Sequence, residues 1–297
     1  MHKSIFNIIG CGYIGKRIAQ RVQSLGKTVK CYVATQASQN DCADLGLDVQ
    51  CFNLDEPGLE LAESIKPDFA NSVLMYLVPP PRNGRVDTRM THFIDYLRAC
   101  EKSSGQPVQK IVLISTTGIY GDCAGEWIDE SRSPNPQADR AWRRLDAETQ
   151  CQGYCAQQNI DCIILRVPGI YAMDKLPLQR ISSGEPIVRA EDSGYTNRIH
   201  GDDLAAFCVE AMTEPVAAGV YNCCDGNPST MNDYFLRVAE VMDLPAPPQI
   251  SLQQAQAELS PGMLSYLAES KRISNEKLRR HFKTEFQYPD LKAGLKK

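Results

Sequence analysis

Basic charge is in short supply. The chain carries 32 Lys and Arg against 36 Asp and Glu, a formal net charge of -4, so it lacks the positive field that general nucleic-acid binding requires. Long apolar runs are also missing. None approaches the ~20 residues needed to cross a bilayer. Met1-His2-Lys3 leads straight into Ile5-Phe6-Asn7-Ile8-Ile9, which Asn7 interrupts and Gly10 closes, unlike a signal peptide. These absences predict a cytoplasmic protein with neither nucleic acid nor membrane as partner. Metal-ligand spacing is lacking too. No Cys-x-x-Cys pair occurs and the 4 histidines are scattered, so no metal site is expected.

Cysteine itself is plentiful, with 12 in the chain. Cys11, Cys31, Cys51 and Cys162 fall inside apolar, strand-like runs, where cysteine behaves as a small hydrophobe. Cys151 and Cys155 are four apart on an expected helix, and Cys223 and Cys224 are adjacent. Both pairs can oxidise, but neither forms a disulfide framework, and the reading is one of reduced, buried thiols.

Across the 297 residues, 43% are hydrophobic and 23% charged, ordinary for a soluble chain that builds one large α/β domain or two lobes sharing a core. Strand-like runs at Ser4–Ile9, Thr28–Ala34, Asp48–Asn53, Asn71–Val78, Lys110–Ser115 and Ile160–Val167 alternate with helical stretches. The first helix carries Ile14, Ile18, Val22 and Leu25 on one face and stops at Gly26, and a longer helix spans Asp87–Cys100. Strands alternating with helices imply parallel pairing and right-handed crossovers. The expected fold is α/β, a Rossmann-type doubly wound parallel sheet.

Gly10-Cys11-Gly12-Tyr13-Ile14-Gly15 follows the first strand and opens the first helix, the context that gives G-x-G-x-x-G its meaning. Gly10 permits the tight turn, Gly12 lets the backbone approach a pyrophosphate, and Gly15 allows close packing of helix on strand. The helix-start N–H groups, around Tyr13 and Ile14, favour negative charge. The second strand ends in Val33-Ala34-Thr35-Gln36, with no acid to bind a ribose 2′-hydroxyl. Thr35 and Gln36 can donate to a 2′-phosphate, so the reading leans to NADP and leaves NAD open.

Further motifs follow in order: Ile114-Ser115-Thr116-Thr117-Gly118-Ile119-Tyr120-Gly121, Leu165-Arg166-Val167-Pro168-Gly169-Ile170-Tyr171, Asn197-Arg198-Ile199-His200-Gly201-Asp202-Asp203-Leu204-Ala205 and Ser270–Leu278. With the glycine loop they resemble the extended short-chain dehydrogenase/reductase superfamily of the NAD-dependent epimerase/dehydratase type. The nearest likeness is to its atypical YeeZ-like branch, which shares Leu-x-Pro-Pro-Pro as it stands at Leu77–Pro81. The resemblance implies a dinucleotide lying across the strand ends. Asn53 and Leu54 would be near the adenine, Leu77, Val78 and Pro79 along the ribose and phosphates, and Pro168 and Gly169 near the nicotinamide, with Ser115 in the same set. It also implies an NAD(P)-binding domain over 1–170, a smaller substrate lobe over 171–297 with a partial return to the sheet, and a possible homodimer. One departure is that Ile8 and Ile9 stand where the family's loop begins Thr-Gly.

The other departure is chemical. The family uses a Ser/Thr, a Tyr that exchanges a proton with the substrate, and a Lys one helical turn on. Thr116 matches the first. Aligning Asp139-Arg-Ala-Trp-Arg-Arg-Leu-Asp-Ala-Glu148 by Glu148 puts Arg140 at the Tyr position and Arg144 at the Lys position. Arg144 can supply positive charge, but Arg140 stays protonated and exchanges no proton near neutral pH. The alternative is a solvated helix face with an Asp139–Arg143 pair. Tyr171–Lys175 and Tyr288–Lys292 repeat the Tyr-x-x-x-Lys spacing away from that helix and are decoys. Acid/base function, if it survives, falls to Tyr120 or a bound water.

In the second lobe, Arg180, Arg189 and Arg198 suit a phosphate or carboxylate, with Arg180 and Arg198 the substrate candidates. Asp202 or Asp203 is expected to cap a helix rather than to pair with His200 for catalysis. Two functions remain open. One is an NAD(P)-binding oxidoreductase or epimerase-like enzyme with atypical acid/base residues, acting on a small polar substrate of which a nucleotide sugar is one candidate. The other is a non-catalytic NAD(P)-binding redox sensor.

Overall fold

The computed structural model describes residues 4–55 and 68–296; Met1-His2-Lys3 lies outside them. Seven strands, β1 (Phe6–Ile9), β2 (Val29–Val33), β3 (Val49–Cys51), β4 (Val73–Tyr76), β5 (Lys110–Thr116), β6 (Asp161–Val167) and β7 (Gly219–Asn222), make one sheet. Their order is β7-β6-β5-β4-β1-β2-β3 and every pair is parallel. The order reverses between β1 and β4, the switch point at which a doubly wound sheet opens a crevice above its strand ends. Six strands match the runs expected from the sequence. β7 does not: Gly-Val-Tyr-Asn is too short and mixed to read as a strand alone, and it exists because β6 offers it an edge.

Each strand sends alternate residues to opposite faces. Val112 and Ile114 of β5 join Ile8, Met75 and Leu165 under helices α1 (Tyr13–Ser24), α2 (Gln36–Ala43) and, from the second half of the chain, Gly201–Thr213. Ile111 and Leu113 join Ile9, Tyr76 and Ile164 under α3 (Thr88–Ser104) and α4 (Asp139–Gln158); Gly201–Thr213 is accordingly α5. Asn7, which breaks the first apolar run, is buried and satisfied: it donates to the Ser72 hydroxyl at 2.8 Å and accepts from the Tyr32 hydroxyl at 3.3 Å. Among the described residues no helix is long and apolar enough to cross a membrane, and no cysteine is disulfide-bonded.

Three local expectations need correction. Leu25 is 56% exposed, because it lies just past the end of α1, where Gly26 turns the chain at φ +68°. Asp139 pairs with Arg85 at 2.9 Å rather than with Arg143, whose guanidinium is buried and donates to the Gly84 carbonyl at 2.6 Å. The cap of α5 is the His200 imidazole, which accepts from the Asp202 amide at 3.2 Å. Asp203 instead accepts from the Gln287 and Tyr288 amides, both at 2.9 Å, and so anchors the C-terminal segment. The rest of the second half packs a smaller core of Tyr171, Ile181, Val238 and Leu291 around a sixth helix, α6 (Met231–Val241).

A buried polar chain ties α4 to the sheet. Glu148 on α4 accepts from Arg166 on β6 through both carboxylate oxygens, at 3.2 and 2.8 Å. Arg166 also donates to the Tyr120 hydroxyl at 2.9 Å, which donates to Asn222 of β7 at 2.8 Å. Removing one partner strands the other charge away from water. Glu148→Ala should therefore cost about 3–5 kcal/mol of folding stability by urea denaturation, and the double replacement Glu148→Leu with Arg166→Met should recover part of that loss.

Asp225 is a second buried acid. It is 1% exposed and one carboxyl oxygen has no partner, so burial pushes it from 3.8 up to about 7. A raised carboxyl keeps its proton when folded and loses it when unfolded, so its contribution to stability falls as pH rises through that window. Asp225→Asn should flatten this fall, as read from urea midpoints at about pH 5 and about pH 8.

Candidate functional site

Two cavities open side by side above the carboxyl ends of the strands. The first, of about 410 Å³, extends from the loop between β1 and α1 to the chain that follows β3. Its floor depends on glycine. Gly10 turns at φ +89°, and a Cβ there would stand 2.8 Å from the Val78 amide nitrogen, so the ends of β1 and β4 approach only because that atom is missing. Gly12 differs: a Cβ built on it meets no protein atom within 4 Å. The protein does not need that glycine for its own packing, and the space lies at the start of α1. That helix has no side-chain cap and no acid in its first turn. Open space above uncapped helix-start N–H groups fits a pyrophosphate.

Leu77, Val78 and Pro79 form one wall of this cavity, and Asn53 and Leu54 stand at its far end. Asp55 closes that end, held by a two-pronged bond from Arg89 at 2.6 and 2.7 Å; the Arg89 guanidinium holds the Asp55 carboxyl below its ordinary value. Thr35 and Gln36 are not among the lining residues. The Thr35 hydroxyl is used as the cap of α2, accepting from the Ser38 amide at 3.2 Å, and Gln36 bonds Asn40 at 3.0 Å. Ser38 lines the cavity in their place. Ser115 is also outside the lining, its buried hydroxyl unpartnered. Tyr13, in the glycine loop, donates to Asp174 at 2.5 Å, which is also paired with Arg17 at 2.8 Å. The segment after Tyr171 is thereby clasped onto the start of α1.

The second cavity, of about 520 Å³, shares Arg144 with the first. Arg144 donates to the Val78 carbonyl at 3.0 Å, and burial pulls its guanidinium below its ordinary value, although it remains a cation. Thr116, Pro168 and Gly169 line this second cavity. The Thr116 hydroxyl accepts from the Gly118 amide at 3.1 Å, so it caps the turn that follows β5. Arg140 lies across the Tyr266 ring at 4.1 Å and donates to Ser265 at 2.8 Å. Arg198 stacks on Tyr234 at 3.8 Å and donates to the Thr196 hydroxyl at 3.3 Å. Lys271, buried, donates to the Gly121 carbonyl at 2.7 Å and pairs with Glu269. Four cations and one carboxylate therefore line this space, a balance that favours an anion.

Residues 8–224 match the model of the NAD dependent epimerase/dehydratase family. The chain belongs to that family. No curated protein matches it. Among solved structures, a functionally unknown conserved protein from Silicibacter pomeroyi DSS is 24% identical with a TM-score of 0.81, the match covering 98% of this chain and 96% of that one. UDP-glucose 4-epimerase from Thermus thermophilus, solved in complex with NAD, is 20% identical with a TM-score of 0.72 over the same shares. A putative NAD-dependent epimerase/dehydratase from methylobacillus flagellatus is 23% identical with a TM-score of 0.66, again over 98% and 96%. These likenesses carry the fold.

The structure thus brings Thr116, Arg140, Arg144 and Arg198 to one cavity and the glycine loop, Asn53, Leu54, Leu77, Val78 and Pro79 to the other. It does not bring Tyr120 or Arg180 to either. Tyr120 is 1% exposed, spent on Arg166 and Asn222, and burial pushes its phenol up to about 12. Arg180 pairs with Glu185 at 2.9 Å on the lobe. Of the two decoys, Tyr171 is buried with its hydroxyl on the Asp290 carbonyl, and Tyr288 stacks on His200 at 3.8 Å. Asp55, Arg89, Tyr195 and Tyr266 went unread in the sequence: Arg89 stands in the first turn of α3, Tyr195 on a short strand and Tyr266 on a short helix, each far along the chain from the glycine loop.

The two glycines separate folding from binding. Gly10→Ala should lower the melting temperature, since its Cβ collides with backbone at a positive φ. Gly12→Ala should melt as the parent does yet bind dinucleotide at least about tenfold more weakly, a loss of about 1.4 kcal/mol, as measured by calorimetric titration.

Proposed function

We propose that the protein is an NAD(P)-dependent oxidoreductase or epimerase-type enzyme that acts on a small anionic substrate, with NADP the better-held dinucleotide. The observation that carries this reading is the pair of cavities joined at Arg144, one suited to a pyrophosphate and the other rich in cations. Bound nicotinamide supplies hydride exchange. The chain's own residues supply charge, orientation and the proton. Arg144 and Arg198 hold phosphate or carboxylate oxygens, while Tyr195, Met231 and Met263 give a flat, polarisable wall for a ring. A nucleotide sugar has both parts. We divide the chain near residue 170, with the following lobe supplying most of the substrate contacts.

Arg140 cannot exchange a proton, and Tyr120 is removed from the cavity. Tyr266 has its ring under the Arg140 guanidinium and lines the same space. We assign the proton transfer to its phenol, acting directly or through water: the tyrosine of the family's helix is supplied from the lobe. At the other end, no acid lines the cavity at the close of β2, and Ser38 lines it there, which suits a 2′-phosphate better than a 2′-hydroxyl. The redox-sensor reading is kept alive by one feature, the replacement of the family's Tyr and Lys on α4 by two arginines.

Titration with NADPH, NADH, NADP and NAD, followed by nicotinamide fluorescence and heat of binding, tests the proposal. NADPH should bind most tightly, and Ser38→Asp should weaken it about tenfold or more while leaving NADH nearly unchanged. With a turning-over anionic substrate, Tyr266→Phe should lower kcat about 100-fold or more at unchanged dinucleotide affinity. Unequal binding of reduced and oxidised forms, with no turnover on any anionic substrate, would favour the sensor. No binding of any form would sink both.

A further inference from the structure

On the sheet face away from α1, at the opposite end of the strands from both cavities, three cysteine sulfurs meet. Cys151 and Cys155 are one turn apart on α4 and face Cys162 near the start of β6, with all three Sγ atoms within 4.8 Å of one another. Among the described residues no other group of His, Cys, Asp and Glu gathers this closely. Cys151 and Cys162 are 3.8 Å apart. Four sulfurs arranged tetrahedrally at the usual ~2.3 Å from zinc stand about 3.8 Å from each other. A disulfide would need ~2.05 Å. That distance leaves room for an ion between the two sulfurs, and the third sulfur lies within 4.8 Å of both. Cys151 and Cys155 are 1% exposed and Cys162 is half-buried, and all three pack in the apolar cluster beneath α3 and α4.

We propose that Cys151, Cys155 and Cys162 form a three-thiolate site for a closed-shell thiophilic ion of the Zn²⁺ or Cu⁺ type. Binding breaks three S–H bonds, releases three protons to solvent and forms three metal–sulfur bonds; no electron moves. The fourth position of a zinc ion falls to water on the Cys162 side. β6 rises about 3.3 Å per residue, so the five residues from Cys162 to Val167 put the site roughly 16 Å from the cavity end of the strand. It is therefore independent of the dinucleotide and substrate chemistry. Sequence spacing could not reveal it, since a Cys-x-x-x-Cys on a helix and a cysteine on the next strand match no zinc pattern.

The test uses the full chain, reduced and stripped of metal by a chelator. Zn²⁺, and separately Cu⁺ under anaerobic conditions, are titrated against a competing chromophoric chelator. One equivalent of at least one ion should be retained, more tightly as pH rises because protons are displaced. Alkylation of the wild-type protein with and without the ion, read by peptide mass, should show protection at Cys151, Cys155 and Cys162 alone. That readout needs no variant to fold. Cys151→Ser combined with Cys162→Ser should reduce uptake from one equivalent to none, whereas Cys208→Ser, at a buried thiol elsewhere, should leave it unchanged. Uptake of neither ion by fully reduced protein overturns the proposal, as does protection at other thiols or an equivalent retained by the double variant.

Discussion

Inside the junction of α4 and β6, the Arg166 guanidinium and the Glu148 carboxylate face each other out of reach of water. Neither charge tolerates the loss of the other, so the helix and the strand are fixed in register. The same guanidinium reaches Tyr120 and, through it, Asn222 on β7. One ion pair thus couples the turn after β5, the helix that bears Arg140 and Arg144, and the sheet's edge strand. Thr116, Arg140, Arg144 and Pro168, on one side of the second cavity, are presented by the elements that this pair joins.

That arrangement holds the fold of the epimerase/dehydratase family around a cavity lined by four cations. Two guanidinium groups, those of Arg140 and Arg144 on α4, line this cavity. A guanidinium is a permanent cation, so this face of the helix favours an anion. Tyr266, Lys271 and Glu269, from the second half of the chain, line the same space.

Much of the fold was legible because local rules and tertiary structure agree there. Six strands, the glycine loop and the first helix follow from apolar runs, turn residues and periodicity, and parallel pairing follows from alternation. The family resemblance located Thr116, Arg140 and Arg144 around one cavity, but motif order could not tell which hydroxyls were free. Thr35 and Thr116 both close backbone turns, a local demand that competes with ligand binding. Tyr120 carries a polar group that burial required to be paired, and only the fold shows Arg166 and Asn222 beside it. Arg180 and Arg198 look alike in sequence; a glutamate five residues on captures the first, while an aromatic face supports the second. β7 and Lys271 reach their places through contacts between distant segments, and the cysteine cluster through the packing of α4 on the strand that follows it.

The order of the strands in the sheet also governs how the chain is made. β6 is complete at Val167, but its outer neighbour β7 begins only at Gly219. Throughout the synthesis of the intervening segment, β6 has a bare hydrogen-bonding edge. At about 5–20 residues per second, that exposure lasts seconds on the ribosome, and parallel pairing across such a separation is slow in itself. An unpaired edge is where chains join each other by mistake. The helix after β5, pinned by Glu148 beneath Arg166, is available before β7 and covers one face of that strand. It leaves the edge itself open until residue 222 has emerged.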